Sequence, residues 1–518
     1  MMRAPKLAFA AATLIAGSTL VQANWVASGQ LIYEHREWDA TGFTGVVTSL
    51  PVRYADVQVC DASKQMIKVI GTGKTDASGN FSVSVTDTST RPKVRVRILT
   101  QTTQTSDLFV KVTTQNGTVY AANTSDVTNH GPNTNVDWGT MTVAAFSGGE
   151  AYNILDLAIY GADYIKSLSG SRPGSSKLYT VKWQIDGGVG VSATSGSTTQ
   201  LRDTAGYDDT VVLHEWGHYV QNNYSKQSNP GGTNFLSDCA QDPRLAWEEG
   251  AASYFGNAVR RFAGLPNANL YIRTDGAPGP GHVLNWYDLE NPVQYVCTGD
   301  TSEVTNSRTL WDIGDGPATT DTTPGTDDNP PDALVLPDTE VWQVMTGPIK
   351  NATYVTAESF WDGWFDPTVA NGNFAAMQAI WGSFSIEFWQ DASEPNNTTA
   401  TATPLVANDP AVHLTYFYDP DGDGKGDVDT DIFRFTSTGG TSYTIETLNL
   451  WSANDTNLEL LDTNGSTVLT SNNDRSASDR SSKITWVAPR SDTFYVRSKR
   501  VTGATTKYGS YDLRITSP

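Results

Sequence analysis

After Arg3 and Lys6 the chain runs apolar and small from Leu7 to Leu20. From there to about residue 145 apolar positions fall at rough alternation, as in Val52 to Val59 and in Lys93-Val-Arg-Val-Arg-Ile-Leu99. A period of two predicts half-buried strands. Gly71-Thr-Gly-Lys-Thr-Asp-Ala-Ser-Gly79-Asn-Phe81 reads as strand, turn and strand, with Asp76 and Gly79 making the turn. The pattern changes near residue 146. Ile154, Leu155, Ala158, Ala162 and Ile165 recur at helical spacing within 150–168, and Gly170 closes that helix. Tyr179-Thr-Val-Lys-Trp-Gln-Ile185 alternates, which predicts a strand that is either internal or an edge open to an extended peptide. Helices are expected over 210–222, 243–262, 305–313 and 374–389, with a loop rich in Asp, Pro, Thr and Gly over 314–337. Past residue 391 the alternation returns, in Asp429-Thr-Asp-Ile-Phe-Arg-Phe435, Tyr443-Thr-Ile445, Leu458-Glu-Leu460, Phe494-Tyr-Val496 and Tyr511-Asp-Leu513.

This patterning divides the 518 residues into a leader over 1–23, β-structure over 24–145, a mixed α+β region over 146–390 and β-structure again over 391–518. The expected fold class is multidomain α+β. The basic start, the apolar run and Val21-Gln-Ala23 fit a secretory signal cleaved before Asn24. No later segment approaches membrane-spanning length, so no membrane insertion is expected. With 35 Lys and Arg against 56 Asp and Glu, the formal charge is −21. Such a surface repels nucleic acid and favours divalent cations. Cys60, Cys239 and Cys297 are too few for a disulfide scaffold or a zinc finger. Export permits one disulfide, expected between Cys239 and Cys297, which leaves Cys60 as a buried thiol on a strand.

The candidate chemistry lies in Val211-Val-Leu-His214-Glu215-Trp-Gly-His218-Tyr-Val220, an H-E-x-x-H sequence. On a helix, residues four apart share one face, so both imidazoles can reach one zinc ion (Zn2+) while Glu215 serves as general base. Gly217 lets another group approach closely. A third ligand is still needed. The next His, His282, lies far along the chain, and the metzincin pattern is absent. Glu248 and Glu249, in Leu245-Ala-Trp-Glu-Glu-Gly-Ala-Ala-Ser-Tyr-Phe255, are the candidates, and adjacent helical residues point about 100° apart, so only one faces the metal.

This pair of segments resembles the gluzincins, H-E-x-x-H peptidases with a Glu ligand commonly followed by Gly. The resemblance implies a zincin-like α+β catalytic domain, with Glu249 on zinc beside His214 and His218. It also implies a Tyr or His that stabilises the oxyanion, for which Tyr254, His282 and Tyr287 are candidates. Asp208, Asp209, Asp242 and Glu303 are acids of the same region that could orient the ligating histidines.

Asp419-Pro-Asp421-Gly-Asp423-Gly424-Lys-Gly-Asp427 sets acids at alternate positions before a Gly turn, which suits calcium (Ca2+). It resembles the first half of an EF-hand loop, with Thr430 where the bidentate Glu would stand. The turn at 71–81 resembles that of the transthyretin-like or carboxypeptidase-regulatory-like β-sandwich. The segment from Asp391-Ala-Ser-Glu394-Pro-Asn396 to Leu513 resembles the bacterial pre-peptidase C-terminal domain, a β-sandwich appended to secreted peptidases. These readings imply a secreted zinc metallopeptidase, leaning to an endopeptidase, acting on extracellular proteins or glycoproteins. The alternatives are a β-sandwich adhesin with a non-peptidase or inactive zincin domain, and a zinc hydrolase of some other bond.

Overall fold

A computed structural model describes residues 24–63, 67–103, 107–184, 191–315, 334–369, 371–451, 453–501 and 506–518. The expected leader and most of the loop expected over 314–337 lie outside the described residues. The chain divides into two compact units. One takes residues 24–32, Pro51–Leu99 and Ala121–Thr142; the other takes Tyr33–Leu50, Thr100–Tyr120 and Val143–Pro518. The units therefore do not divide at residue 145.

Ten strands span the N-terminal part among the described residues: β1 (Trp25–Asp39), β2 (Gly42–Pro51), β3 (Asp56–Asp61), β4 (Lys68–Lys74), β5 (Asn80–Val85), β6 (Arg91–Leu99), β7 (Val110–Thr113), β8 (Ala121–Asn123), β9 (Val127–His130) and β10 (Val136–Val143). In the first unit the start of β1 pairs antiparallel with β5, and β4, β3 and β6 form a sheet that β8 and β9 extend. Alternate residues Val57, Val59, Val94, Val96 and Val83 are buried, which is why the period of two was legible. The turn forms as expected: Asp76 Oδ1 accepts from Ser78 N at 2.8 Å and Asn80 N at 2.9 Å. Gly79 has φ 77°, and a Cβ there would lie 2.3 Å from Leu31 O.

The second unit contains α1 (Gly149–Ser169), β11 (Tyr179–Trp183), β12 (Ala193–Ser195), β13 (Thr198–Leu201), α2 (Asp209–Tyr224), α3 (Pro243–Ala263), β14 (Leu270–Thr274), β15 (Gly281–Asp288), α4 (Glu303–Trp311), α5 (Asp338–Thr346), α6 (Pro348–Asn351), α7 (Ala357–Trp364) and α8 (Phe374–Ser383). Gly170 caps α1 in the left-handed conformation, as expected. Ser302 caps α4 by accepting from Thr305 N, so this helix starts earlier than its apolar pattern predicts. Helix α8 stops at Ser383, short of residue 389, where Gly382-Ser383 weakens it and Ser385 turns left-handed. The alternating strand β11 is internal and parallel to both β7 and β13. The edge reading of this strand therefore fails. Among the described residues an edge of this sheet belongs to β12, which pairs there with β13 alone.

The C-terminal part is a β-sandwich. Its strands are β16 (Thr403–Pro404), β17 (Val412–Thr415), β18 (Thr430–Ser437), β19 (Ser442–Leu448), β20 (Thr456–Leu461), β21 (Val468–Asn472), β22 (Lys483–Val487), β23 (Asp492–Arg500) and β24 (Ser510–Thr516). They form the sheets β16-β18-β23-β20-β21 and β17-β24-β19-β22. Inward residues of both sheets, among them Phe433, Phe435, Ile445, Leu460, Val496 and Leu513, make one core. The sandwich is fastened to α7: Glu358 accepts from the amides of Lys507 and Tyr508, and Trp361 Nε1 donates to Gly424 O at 2.9 Å.

Candidate metal centre

Helix α2 is buried almost all round, and its start is fixed from several sides. Asp209 accepts from Asn153 Nδ2 of α1 at 2.9 Å, Arg260 Nη1 of α3 at 3.1 Å and Trp38 Nε1 at 3.3 Å, and it meets His35 Nε2 at 3.2 Å. Despite its burial, His35 and Arg260 hold Asp209 well below the usual carboxylate range. Burial opposes a charge on His35, yet Asp209 and Glu37 raise its pKa to about 9. Glycine then sets how closely the helices meet. A Cβ on Gly217 would lie 2.4 Å from Ala252 O, and one on Gly256 would lie 2.9 Å from the Leu213 carbonyl carbon. Helices α2 and α3 thus cross backbone to backbone.

That crossing brings the third ligand candidate to the histidines. Glu249 Oε2 is 3.2 Å from His214 Nε2 and 3.4 Å from His218 Nε2. Zinc bonds of ~2.0–2.1 Å in a tetrahedron put neighbouring ligand atoms about 3.3–3.4 Å apart. The trio fits a tetrahedral dication on that test, and its three ligand atoms all lie within 4.8 Å of one another. Both rings are held from behind. His214 Nδ1 meets Ser253 Oγ at 2.9 Å, and His218 Nδ1 meets Gln221 Oε1 at 3.1 Å. The Gln221 amide nitrogen is itself anchored on Glu248 O at 2.7 Å. Since Gln221 Oε1 can only accept, it takes the Nδ1 proton of His218 and leaves Nε2 as the nitrogen that faces Glu249.

Sequence reasoning missed both ring partners, although each lies at helical spacing, three residues after His218 and four after Glu249. None of the acids considered for this task bonds a ligating ring. Asp208 accepts from Thr274, Asp209 anchors α2, and Asp242 caps α3 through Arg244 N. Glu248 stands outside the trio and accepts from Asn229 N at 3.2 Å.

Glu215 is buried, which raises its pKa. Thr194 of β12 donates to Glu215 Oε2 at 2.7 Å. Thr194 Oγ1 lies 2.6 Å from Thr199 Oγ1, which lies 2.8 Å from the buried Tyr179 hydroxyl. A row of hydroxyls thus ends on one carboxylate oxygen, and the other has no hydrogen-bond partner among the described residues. Thr194, Glu215 and the metal trio line an open cleft of about 560 Å³ with Tyr271, Arg273, Phe235, Glu248 and Glu303. Burial, and secondarily Glu249, pushes the Glu303 carboxyl up to about 7.

The expected oxyanion groups do not line this cleft. Tyr254 donates to Asp338 at 3.1 Å, Tyr287 pairs with Ser307, and His282 pairs with Asp275. Tyr271 does line it, 6.0 Å centroid to centroid from the His214 ring, and burial drives its phenol pKa well above 10. The signal was the alternation of Leu270-Tyr-Ile-Arg-Thr274, which turns Leu270 and Ile272 into the core and Tyr271 and Arg273 outward.

Two acidic groups lie in the sandwich region. Asp419, Asp421 and Asp423 come together, while Asp427, the fourth acid expected there, stands outside the trio and bridges to Tyr418 through its backbone. Asp419 accepts the amides of Gly422, Asp423 and Gly424, which winds the loop around it. The second group, Asp391, Glu394 and Asp431, was not foreseen as a cluster. Burial raises all three, repulsion from neighbouring acids adds to it for Glu394 and Asp431, with Glu394 at about 7, and neighbouring Asp429 reaches about 8. Glu394 Oε1, Asn396 Oδ1 and Asp429 Oδ2 are buried without hydrogen-bond partners among the described residues.

Cys239 and Cys297 form a disulfide, and Cys60 is a buried free thiol on β3. No described helix is long and apolar enough to cross a membrane.

Comparison with known proteins finds one family. Residues 429–498 match the bacterial pre-peptidase C-terminal domain. The chain is similar to the solved pre-peptidase C-terminal domain of a collagenase from Bacillus anthracis, at 15% identity over 22% of this chain and 93% of that one, with a TM-score of 0.17. It is also similar to PliG of Aeromonas hydrophila, a periplasmic inhibitor of g-type lysozyme, at 11% identity over 23% and 97% of the two chains, with a TM-score of 0.16. No curated protein matches the chain.

Proposed function

We propose that the chain is a secreted zinc-dependent peptidase, an endopeptidase of extracellular proteins or glycoproteins. The observation that carries this reading is the meeting of His214, His218 and Glu249 at tetrahedral spacing in an open cleft beside buried Glu215. The C-terminal match to a domain named for peptidases supports it. His214, His218 and Glu249 would hold zinc, which when bound polarises a carbonyl and acidifies water.

The chain's own groups do the rest. Thr194 fixes Oε2 of Glu215, which leaves Oε1 to take a proton from water and return it to the leaving amine. Burial raises the basicity of this carboxylate, as that task requires. Tyr271 stays protonated and is the cleft's donor for a developing oxyanion. The free side of β12, with Ala193 and Thr194 in the cleft wall, is an edge on which an extended peptide can lie. In the sandwich, calcium is proposed for Asp419, Asp421 and Asp423, and for the more deeply buried Asp391, Glu394 and Asp431.

The test compares the mature chain with a Glu215→Gln twin on a mixed protein substrate, with and without a zinc chelator. Cleavage that the chelator stops, zinc restores and the twin lacks is the expected result. A folded, zinc-loaded wild type that releases no new amino termini from diverse proteins sinks the reading.

A further inference from the structure

The side of the cleft formed by α3 and α4 holds more negative charge than the metal trio accounts for. Glu248, Glu249 and Glu303 all line it, and Glu248 and Glu303 are only 7% and 6% exposed. A dication on His214, His218 and Glu249 is balanced in charge by Glu249 and Glu215. Glu248 and Glu303 are left over. Their partners are neutral: Asn229 N donates to Glu248, and Asn234 Nδ2 donates to Glu303 Oε2 at 3.3 Å. No Lys or Arg among the described residues pairs with either. The cationic group that acts on both is His218, and once a metal takes its Nε2 each is a buried carboxylate without a counter-charge, a costly state. Packing enforces it, because a Cβ on Gly250 would lie 2.5 Å from Glu303 O, so the first residue of α4 sits directly against α3 next to Glu249.

A second observation points to what neutralises them. Phe235 lines the same cleft and is 63% exposed. Its backbone is held rather than loose: its carbonyl accepts from Asp238 N at 2.8 Å and from Gln241 Nε2 at 3.1 Å, and the Cys239–Cys297 disulfide ties the loop. Its neighbour Asn234 is the residue that donates to Glu303. A large apolar ring fixed in a cleft wall is binding surface. Beside two carboxylates, it fits a side chain with an apolar stem and a cationic end.

Resting on the peptidase reading, we infer that this side of the cleft is a subsite for a Lys or Arg side chain of the substrate. Glu303 and Glu248 face the cation, and Phe235 packs on its stem. The test uses internally quenched peptides blocked at both ends, with Lys, Arg, norleucine or Gln placed in turn at each position around the cut bond. Lys or Arg at one position should raise kcat/KM by about tenfold or more over norleucine. Added salt should narrow the ratio, and Glu303→Gln should lower it by about tenfold. Zinc content and unfolding midpoint of the variant establish that it is folded. A ratio near one at every position overturns the inference, as does a ratio that Glu303→Gln leaves intact. Preference for peptides with a free amino terminus over their acetylated twins assigns the carboxylates to a chain end and also overturns it. Binding of the same blocked peptides to zinc-loaded Glu215→Gln, read by fluorescence anisotropy, separates the two readings. Tighter binding of Lys than norleucine peptides, with nothing cut by wild type, keeps the subsite and sinks the peptidase. Equal binding of the two overturns the subsite.

Discussion

At the crossing of α2 and α3 one carboxylate oxygen of Glu249 faces two imidazoles, whereas in the sandwich Asp391, Glu394 and Asp431 face one another. The first group attracts itself. Its rings are pinned by Ser253 and Gln221. The second repels itself, and burial and neighbouring acids push its carboxyls upward in pKa. On the proposed reading the two regions would use a cation differently: in the cleft it would add chemistry, and in the sandwich it would relieve a strain of charge.

The sharpest way to break this contrast is Glu215→Gln. Loss of a general base costs about 10²–10⁴-fold in rate. Peptide hydrolysis should fall by that factor while zinc content, read by metal analysis, stays at wild-type level. Retained activity would remove Glu215 from its role. Next comes Gln221→Ala, which frees the His218 ring. Loss of such a partner weakens metal binding by about 10–100-fold, to be measured by competition with a chromophoric chelator. Thr194→Val tests the carboxylate's own support. It should lower kcat more than it raises KM, and an unchanged kcat would show that the hydroxyl row is only structural.

The sandwich answers to pH. Glu394 and Asp429 titrate near 7 and 8 when folded, above ordinary carboxylates. Between about pH 4 and 8 the folded state then binds more protons than the unfolded one, so stability falls as pH rises. Without calcium, the unfolding midpoint of the chain should drop from pH 5 to pH 8, and calcium should flatten that slope. The pair at the start of α2 responds higher in the range. His35 is raised to about 9, so the stability it contributes is complete below its unfolded pKa near 6.5 and is lost as pH rises through 9. His35→Gln should remove that decline between about pH 6.5 and 9, with the smallest change in midpoint of the set.

What was legible in the sequence was what local periodicity controls. His214, Glu215 and His218 share a helix by spacing, whereas Glu249 was preferred to Glu248 through the resemblance to gluzincins, whose ligand Glu is followed by Gly, here Gly250. The strand alternation of the C-terminal segment was legible for the same reason. What was not legible came from groups far apart in the chain. Thr194 reaches Glu215 from β12, and Tyr271 reaches the cleft from β14. Asp431 joins Asp391 and Glu394 only when β18 enters its sheet. The role of β11 was open because alternation reports burial of one face, not a strand's place in its sheet, and an edge strand and an internal one can read alike.

Gly217 and Gly256 make the α2–α3 crossing a matter of backbone against backbone. Backbone is stiffer than side chains, so the spacing of the ligand set does not depend on rotamers elsewhere in the core. The wall that carries Asn234 and Phe235 belongs to a loop held by one disulfide and a few hydrogen bonds. On the peptidase reading, substitutions at residues 232–236 of that wall would change which substrates fit, whereas Gln227, which donates to Gln221, and Asp242, which caps α3, tie the ends of the same stretch to the ligand set. Gly217→Ala, an overpacking change costing about 1–3 kcal/mol, would disturb the crossing that every such specificity shares.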